Sequence, residues 1–415
     1  MRVLSISPYP FWDEEDRKGM PSIYLGHKAY VDAGHEVIYL YCGRSSRDYT
    51  YDGIQMKQFW LPLPALPAMR YRWLTRLMVK AHYSIFQVAG LIHGFRVCRE
   101  FRPDVIYGQF GHAIPVAWIL GRLFGVPNVS RMYGTFLYRY VHTLLGRLRK
   151  PEEVIAFKTP ASYLIITNDG TMGAACAEAL HVPRERVKFW RNGVDREIYL
   201  PGYDAGPLKD ELGIPRSHKI ILALSRLESW KRVDRLIRAL PRVVARAPET
   251  TAVIVGGGNE RAALERLADE LAVRQHVRFA GEVLHADTPR YLNAADIFVS
   301  LYDVSNVGNP LLEALRCGRC IVSLDIGGTR EVIPDDSVGI LLKTEALDLL
   351  PDILSDLLLD DAKRARLQRA TLARAEHVLR TWPERTRMEV ELIERLVAGW
   401  HRPTRGEPEA AATAS

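Results

Sequence analysis

Three segments carry residues whose types and spacing could do chemistry. In the first, Ser225-Arg226-Leu227 closes an apolar strand pattern and Lys231 follows five positions after Arg226. A cation at a strand end and another at the start of the next helix form a clamp for a diphosphate, although a solvated helix carries such residues too. In the second, Gly256-Gly257-Gly258-Asn259-Glu260 makes a strand–turn–helix joint. Its glycines allow a phosphate or sugar to approach the backbone closely, and a plain turn explains them equally well. It is not G-x-G-x-x-G, so nothing supports a nicotinamide site. The third, Tyr302 to Leu315, reads YDVSNVGNPLLEAL. Gly308 and Asn309 precede an apolar helix with Glu313 one turn in. A helix N-terminus offers unpaired N–H groups to an anion. Glu313, isolated among apolar neighbours, is suited to hydrogen-bond vicinal hydroxyls such as a ribose diol.

Other candidates are weaker. Cys317-Gly-Arg-Cys320 has C-x-x-C spacing, but no second cysteine pair exists and Cys42, Cys98 and Cys176 are isolated, so neither zinc nor redox chemistry is expected. Asp13-Glu14-Glu15-Asp16 is read as a solvated acidic run. No metal and no cofactor are expected.

The elements that must position these residues alternate between strand and helix. In the N-terminal half the spacing predicts strands over 2–7, 36–41, 105–107, 128–132, 163–167 and 187–190. Helices are predicted over 22–33, around 114–124 and up to Leu180, with Ser22 as an N-cap and Gly34 just past the helix end. The stretch 192–215, rich in Gly, Pro and Asp, breaks the periodicity. Strands then resume at 219–225, 252–255, 277–279, 297–300 and 321–323, with helices ending near Ala247 and Leu271, another over 311–317, and a last one over 384–398. Such alternation predicts α/β architecture with parallel, doubly wound sheets. Ligands of such sheets bind beyond the carboxyl ends of strands.

With these parts in order, the second half resembles retaining GT-B glycosyltransferases of glycosyltransferase family four (glycosyl transferases group one). The motifs are LSRLESWKRVDRLIRAL, AVIVGGGNE, HVRFAGEV, YLNAADIFVS, SNVGNPLLEALRCGRCIVSLDIGGTREVI and a helix after Trp382. The resemblance extends to the N-terminal half through RVLSIS, the Gly19 loop, AGHEV and PDVIYGQ. It implies two Rossmann-like doubly wound βα domains facing a cleft, over residues 1–195 (acceptor) and 196–383 (nucleotide-sugar). A helix over 384–402 would cross back to the first domain, and 403–415 would form a disordered tail. It implies that Arg226 and Lys231 act on the donor diphosphate and Glu313 on its ribose, with the main chain at Val283 and Leu284 near the base. Gly19, Gly257, Ser305, Gly308, Asn309, Pro310 and Leu311 complete the implied donor site. The implied reaction is a same-face transfer in which the leaving phosphate takes the acceptor's proton, and no D-x-D metal motif is present. Two positions depart from the family pattern. Ser305 stands where a glutamate touches the donor sugar, with Asp303 nearby as a substitute. Tyr133 stands where the N-terminal domain usually has a histidine, and His112 in GQFGHAIP either takes that place or is structural. These departures leave two alternatives open, a degenerate nucleotide-sugar or glycan-binding protein and a nucleotide-sugar epimerase.

Composition sets the outer bounds. The 415 residues, 47% apolar and 25% charged, suit a soluble two-domain protein. The longest apolar run, Ala113 to Gly121, is far below the ~20 residues of a membrane span. With few cysteines and no signal-peptide pattern, a cytoplasmic protein is expected. Net charge is +7, yet residues 54–150 carry fourteen Lys/Arg against two acids, a local +12. Within that region ALPAMRYRWLTRLMVK interleaves Arg70, Arg72, Arg76 and Lys80 with Trp73, Leu77 and Met78, and LYRYVHTLLGRLRK repeats the style. This pattern fits either a solvated helix face or contact with an anionic membrane surface, where a glycan or lipid-linked acceptor would be met. Nucleic acid is not expected.

Overall fold

Most strands of this chain are short apolar runs buried on both faces, as parallel sheets covered by helices require. The computed structural model describes residues 1–11, 20–62 and 72–400, with side chains from Leu77 onward in the helix Arg72–Phe101. The chain divides into two compact units. The first comprises Met1–Thr167, Gly173–Trp190 and the chain from Pro383; the second comprises Asn168–Met172 and Arg191–Trp382.

The first unit contains β1 (Arg2–Ser7), β2 (Glu36–Gly43), β3 (Arg47–Tyr51), β4 (Ile54–Trp60), β5 (Val105–Gln109), β6 (Asn128–Met132), β7 (Tyr163–Thr167) and β8 (Val187–Trp190). Their order is β3-β4-β2-β1-β5-β6-β7-β8, and only β3 with β4 is antiparallel. The second unit contains β9 (Lys219–Leu224), β10 (Thr250–Val255), β11 (Val277–Gly281), β12 (Ile297–Ser300), β13 (Cys320–Leu324) and β14 (Ile340–Leu342). These are all parallel, in the order β11-β10-β9-β12-β13-β14. The order reverses at β1 in one sheet and at β9 in the other. At such a reversal successive connections leave on opposite faces, and a crevice opens beyond the strand ends. The loops after β9 and β12, which lead to Lys231 and Glu313, are thereby made neighbours.

The two doubly wound units agree with the sequence reading, and several details differ from it. The helix expected from Ser22 is Pro21–Asp32, with Met20 at the cap position. Proline, its φ already helical and its N–H not needed, moves the cap two residues earlier than Ser22. Gly34 does adopt the left-handed backbone beyond the helix end, at φ 80°. The hairpin of β3 and β4 turns on Asp52-Gly53, both at positive φ, an Asp-Gly signal of the kind that favours two-residue hairpins. The expected acidic run 13–16, Gly19, Arg70 and the tail 403–415 lie outside the described residues.

The helix Trp382–Ala398 enters the first unit from Pro383. Val390 and Ile393 join the core formed by Val3, Val105 and Val129. The same helix brings Glu389 against two buried guanidinium groups, Arg385 at 2.9 Å and Arg131 at 3.9 Å. The Tyr107 hydroxyl donates to the same carboxylate, and Tyr30 bonds Tyr107 in turn. Burial by itself would raise the Glu389 pKa, but the charges of Arg131 and Arg385 outweigh it and hold the carboxyl below its ordinary value.

Removing one member of a buried ion cluster leaves the others uncompensated, a loss of about 3–5 kcal/mol. Glu389→Gln should therefore lower the free energy of unfolding, measured by urea titration, by that amount at neutral pH. A carboxylate with a depressed folded-state pKa stabilises fully above its unfolded value, and the stabilisation fades as pH falls through the folded one. The difference between parent and variant should accordingly shrink as pH drops below the ordinary glutamate value of about 4.3. A constant difference down to pH 2 would show that Glu389 is not the stabilising charge.

Candidate functional site

The chemistry-bearing loops of the second unit are built on backbone hydrogen bonds. Beyond β9, Ser225 N–H donates to the Val255 carbonyl at 3.0 Å, and Leu227 N–H to the Gly257 carbonyl at 2.7 Å. Gly256 and Gly258 lie at φ 130° and 149°. A Cβ on them would sit 1.9 Å from the Ser225 carbonyl oxygen and 2.4 Å from that of Leu227. The close approach that the glycine triplet allows is thus to another protein loop. Gly257 is less confined, since a Cβ there would meet only the Glu282 side chain, which can shift.

This junction holds the cations out. Arg226 is exposed and pairs with no carboxylate among the described residues. Lys231 does not begin a helix, contrary to expectation. It ends the one-turn segment Ser229–Lys231, Arg232 follows at φ 50°, and the helix starts at Asp234. The intervening turn is held by Arg232, whose guanidinium bonds Asp234 and Asp303. The Lys231 ammonium lies 4.0 Å from the Trp230 ring centroid and 3.8 Å from that of Tyr302. Burial, and then the like charge of Arg226, push its pKa down to about 7, with Asp169 acting in the opposite sense.

Beyond β12 the chain is turned by buried Asn306, whose carbonyl oxygen accepts from the Ser300 hydroxyl and the Tyr302 N–H. The Tyr302 hydroxyl donates to the Leu224 carbonyl at 3.2 Å, tying this loop to the end of β9. Asp303 is ion-paired with Arg235 at 2.8 Å and Arg232 at 3.3 Å. The Ser305 hydroxyl donates to the main-chain carbonyl of Asp169. Gly308 then caps the helix Asn309–Arg316, with Pro310 in its first turn and Leu311 buried. Asn309 accepts from the Asn192 side chain at 2.8 Å. Glu313 is buried, yet it is not isolated as expected. The His285 ring nitrogen lies 3.3 Å from it, and that hydrogen bond raises the His285 pKa. His285 follows Val283, half-buried against the core, and Leu284, which is exposed.

Sequence reasoning missed Asp169. Its carboxylate accepts from the Thr171 N–H at 3.1 Å and from the Thr171 hydroxyl at 2.6 Å. Burial pushes its pKa up to about 6, against the Thr171 bonds and Lys231. The Asn-Asp-Gly-Thr sequence after β7 signals a turn, and no periodic pattern marks those residues as part of the second unit.

In the first unit, Tyr133 lies just past β6. Its hydroxyl donates to Gln109 at 2.9 Å, Gln109 donates to the Ser5 hydroxyl, and the Arg131 guanidinium stacks 4.7 Å from the ring. His112 packs among Tyr9, His82, Tyr83 and Phe86. Burial and then His82 lower its pKa to about 4, so the ring is neutral at pH 7 and supplies no imidazolium. The basic stretch is only partly a surface, because Arg131 and Phe86 are buried. Arg72, Trp73 and Arg76 lie on the helix Arg72–Phe101 with side chains outside the described residues, whereas Leu77 and Lys80 are exposed. The second basic stretch buries Leu137 and Val141 and ends in the helix Leu144–Arg149, capped by Thr143, with Leu144, Leu145 and Leu148 all exposed. Among the described residues no three His, Cys, Asp or Glu side chains group as a metal site. Cys317 and Cys320 are buried free thiols, each pushed up to about 12 by burial.

Known proteins match this arrangement. The Glycosyltransferase Family 4 model matches residues 27–198 and the Glycosyl transferases group 1 model residues 205–374. A GDP-mannose-dependent alpha-(1-6)-phosphatidylinositol monomannoside mannosyltransferase of Mycolicibacterium smegmatis is 32% identical over 299 residues, 68% of this chain and 74% of the relative. A D-inositol 3-phosphate glycosyltransferase of Corynebacterium aurimucosum is 26% identical over 298 residues, 69% and 71% of the two chains. Among solved structures, Anabaena HepE in complex with UDP and glucose has the same fold, with a TM-score of 0.70 at 20% identity over 95% of this chain and 100% of that one.

The lowered pKa of Lys231 is directly measurable. Competitive acetylation read by mass spectrometry should give Lys231 a titration midpoint near pH 7, against about 10.4 for an ordinary lysine. Arg226→Ala removes the neighbouring like charge and should move that midpoint upward. A parental midpoint near 10 would mean that the ammonium is fully hydrated.

Proposed function

The chain belongs to the Glycosyl transferases group 1 family and has the GT-B fold, and from that premise we propose that it moves a hexosyl group from a nucleoside-diphosphate sugar to a hydroxyl of a lipid-linked acceptor, with retention of anomeric configuration. The observation that carries this reading is the pair Arg226 and Lys231, cations without ion-pair partners among the described residues, at the end of the strand where the sheet order reverses. Negative charge grows on the diphosphate as the sugar leaves. Cations already fixed there stabilise it without reorganisation, which is the largest single source of rate in such sites. A diphosphate would also return Lys231 to its charged form, so donor binding should take up protons above pH 7. The N–H groups at Gly308 and Asn309 add to the anion site. Glu313 takes the ribose hydroxyls, with His285 fixing its orientation, and the main chain at Val283 and Leu284 meets the base. The leaving phosphate accepts the acceptor's proton, so no separate base is required.

The Mycolicibacterium relative uses GDP-mannose and acts on a phosphatidylinositol mannoside. These favour GDP-mannose as donor and an inositol lipid as acceptor here. An anionic membrane surface is the matching place of work. Among the described residues, twelve of the seventeen exposed large apolar side chains fall between Trp60 and Leu148, within the stretch 54–150 that carries the +12 charge. Exposed apolar side chains among cations gain both from insertion and from attraction to anionic headgroups, the latter about 1 kcal/mol per basic residue.

Acceptor-dependent release of GDP from GDP-mannose tests the reading. Arg226→Ala and Lys231→Ala should each slow transfer by about 100–1000-fold, as loss of one oxyanion donor does, with folding unchanged. Glu313→Ala should weaken GDP binding in calorimetry by about 10–150-fold, the worth of a hydrogen bond to a charged group. A folded Arg226→Ala/Lys231→Ala protein that transfers sugar at the parental rate would place the diphosphate elsewhere. For the membrane, the protein should co-sediment with vesicles containing phosphatidylinositol, less so as salt rises. Leu144→Glu/Leu145→Glu/Leu148→Glu should abolish that binding. No sedimentation at low salt would leave a soluble acceptor.

A further inference from the structure

A transferred sugar presents several hydroxyls, and a carboxylate is the side chain best able to accept from two of them at once. Three carboxylates of the second unit lie around Lys231 and Tyr302. Asp303 is taken up by Arg232 and Arg235. Glu313 is bonded to His285. Asp169 is different, because the oxygen that meets Thr171 is the same one in both of its hydrogen bonds. No other described residue donates to its second oxygen, and the main-chain N–H of Asp169 itself also reaches the carboxylate.

The backbone around Asp169 is held on several sides. Its carbonyl accepts from the Ser305 hydroxyl. The next carbonyl, Gly170, accepts from Gly328 N–H at 3.2 Å. The Asn168 amide donates to Glu331 at 2.9 Å. Gly170 lies at φ 78°, and a Cβ there would come 2.8 Å from the Ser305 hydroxyl oxygen. A carboxylate fixed this firmly, with one oxygen taken up by no other described residue and Lys231 within electrostatic reach, is preorganised for a ligand.

We propose that Asp169, anchored through Ser305, is the residue that accepts hydrogen bonds from hydroxyls of the transferred sugar and so discriminates between donor sugars. The assignment rests on the donor reading above. It gives Ser305 a purpose of its own, since a longer acidic side chain at 305 would displace the Asp169 main chain. With a pKa near 6 the carboxyl is ionised at pH 7, as an acceptor for two hydroxyls must be.

The test pairs Asp169→Asn with donors lacking one hydroxyl. GDP binding, read by calorimetry, should stay within a few-fold of the parent. kcat/KM for GDP-mannose should fall by about 10–150-fold. Deoxy-mannose donors should be penalised in the parent at one or two positions, and that penalty should vanish in Asp169→Asn. Asp169→Ser, which keeps the small turn residue, should behave the same way, so a folding defect peculiar to one variant does not decide the matter. Undiminished penalties in both variants would overturn the proposal. So would a GDP affinity that falls as far as kcat/KM does, because Asp169 would then act through Lys231 alone. Parental protein that neither binds GDP nor consumes GDP-mannose would instead overturn the choice of donor, and the proposal with it.

Discussion

The loop after β9 can leave two cations without carboxylate partners among the described residues because its own backbone is already satisfied by the loop after β10. Ser225 and Leu227 donate to Val255 and Gly257, and the two chains approach so closely that a Cβ at Gly256 or Gly258 has no room. Every buried main-chain group must find a partner. Here the partner is a neighbouring loop, so the side chains of Arg226 and Lys231 are not needed to satisfy that backbone. Their separation from the acids around them, Asp234 and Asp303, follows from Arg232 and Arg235, which engage those acids instead. The unusual state of Lys231, desolvated against Trp230 and Tyr302, is a consequence of this arrangement.

The first unit handles buried charge in the opposite way. Arg131 and Arg385 share Glu389, and the hydroxyls of Tyr107 and Tyr30 extend the cluster. Such a cluster adds little net stability compared with apolar packing, yet losing one member leaves the others uncompensated. Val390 and Ile393 of the helix from Pro383 supply the apolar contact. In the second unit Arg226 and Lys231 have no carboxylate partner among the described residues, whereas in the first Arg131 and Arg385 share Glu389.

Exposure follows the same division of labour. The apolar side chains left in water belong mainly to the first unit, on the helix Arg72–Phe101 and the helix Leu144–Arg149. The helix Leu144–Arg149 is too short to be stable on propensity alone. It is held by the Thr143 cap and by Arg147, whose guanidinium reaches the carbonyls of Val141 and Ala179. Its leucines contribute nothing to that hold.

Much of this was legible in the residue order. The parallel strands appear as apolar runs, the end of the first helix as Gly34, and the family as an ordered set of motifs around Arg226, Lys231 and Glu313. These are local properties, determined by side-chain type and spacing along a few turns. The Asp-Gly turn of the β3–β4 hairpin was equally local. What needed the tertiary structure was every feature that depends on a partner distant in the chain. The glycine triplet spaces two loops, Glu313 has His285 beside it, Phe86 and Arg131 belong to the interior, and Asp169 joins the second unit from a segment flanked on both sides by the first. Sequence periodicity reports which face of an element is apolar. It carries no record of which loop will lie against it, because that is decided by strand order, and strand order is set only when the sheets close.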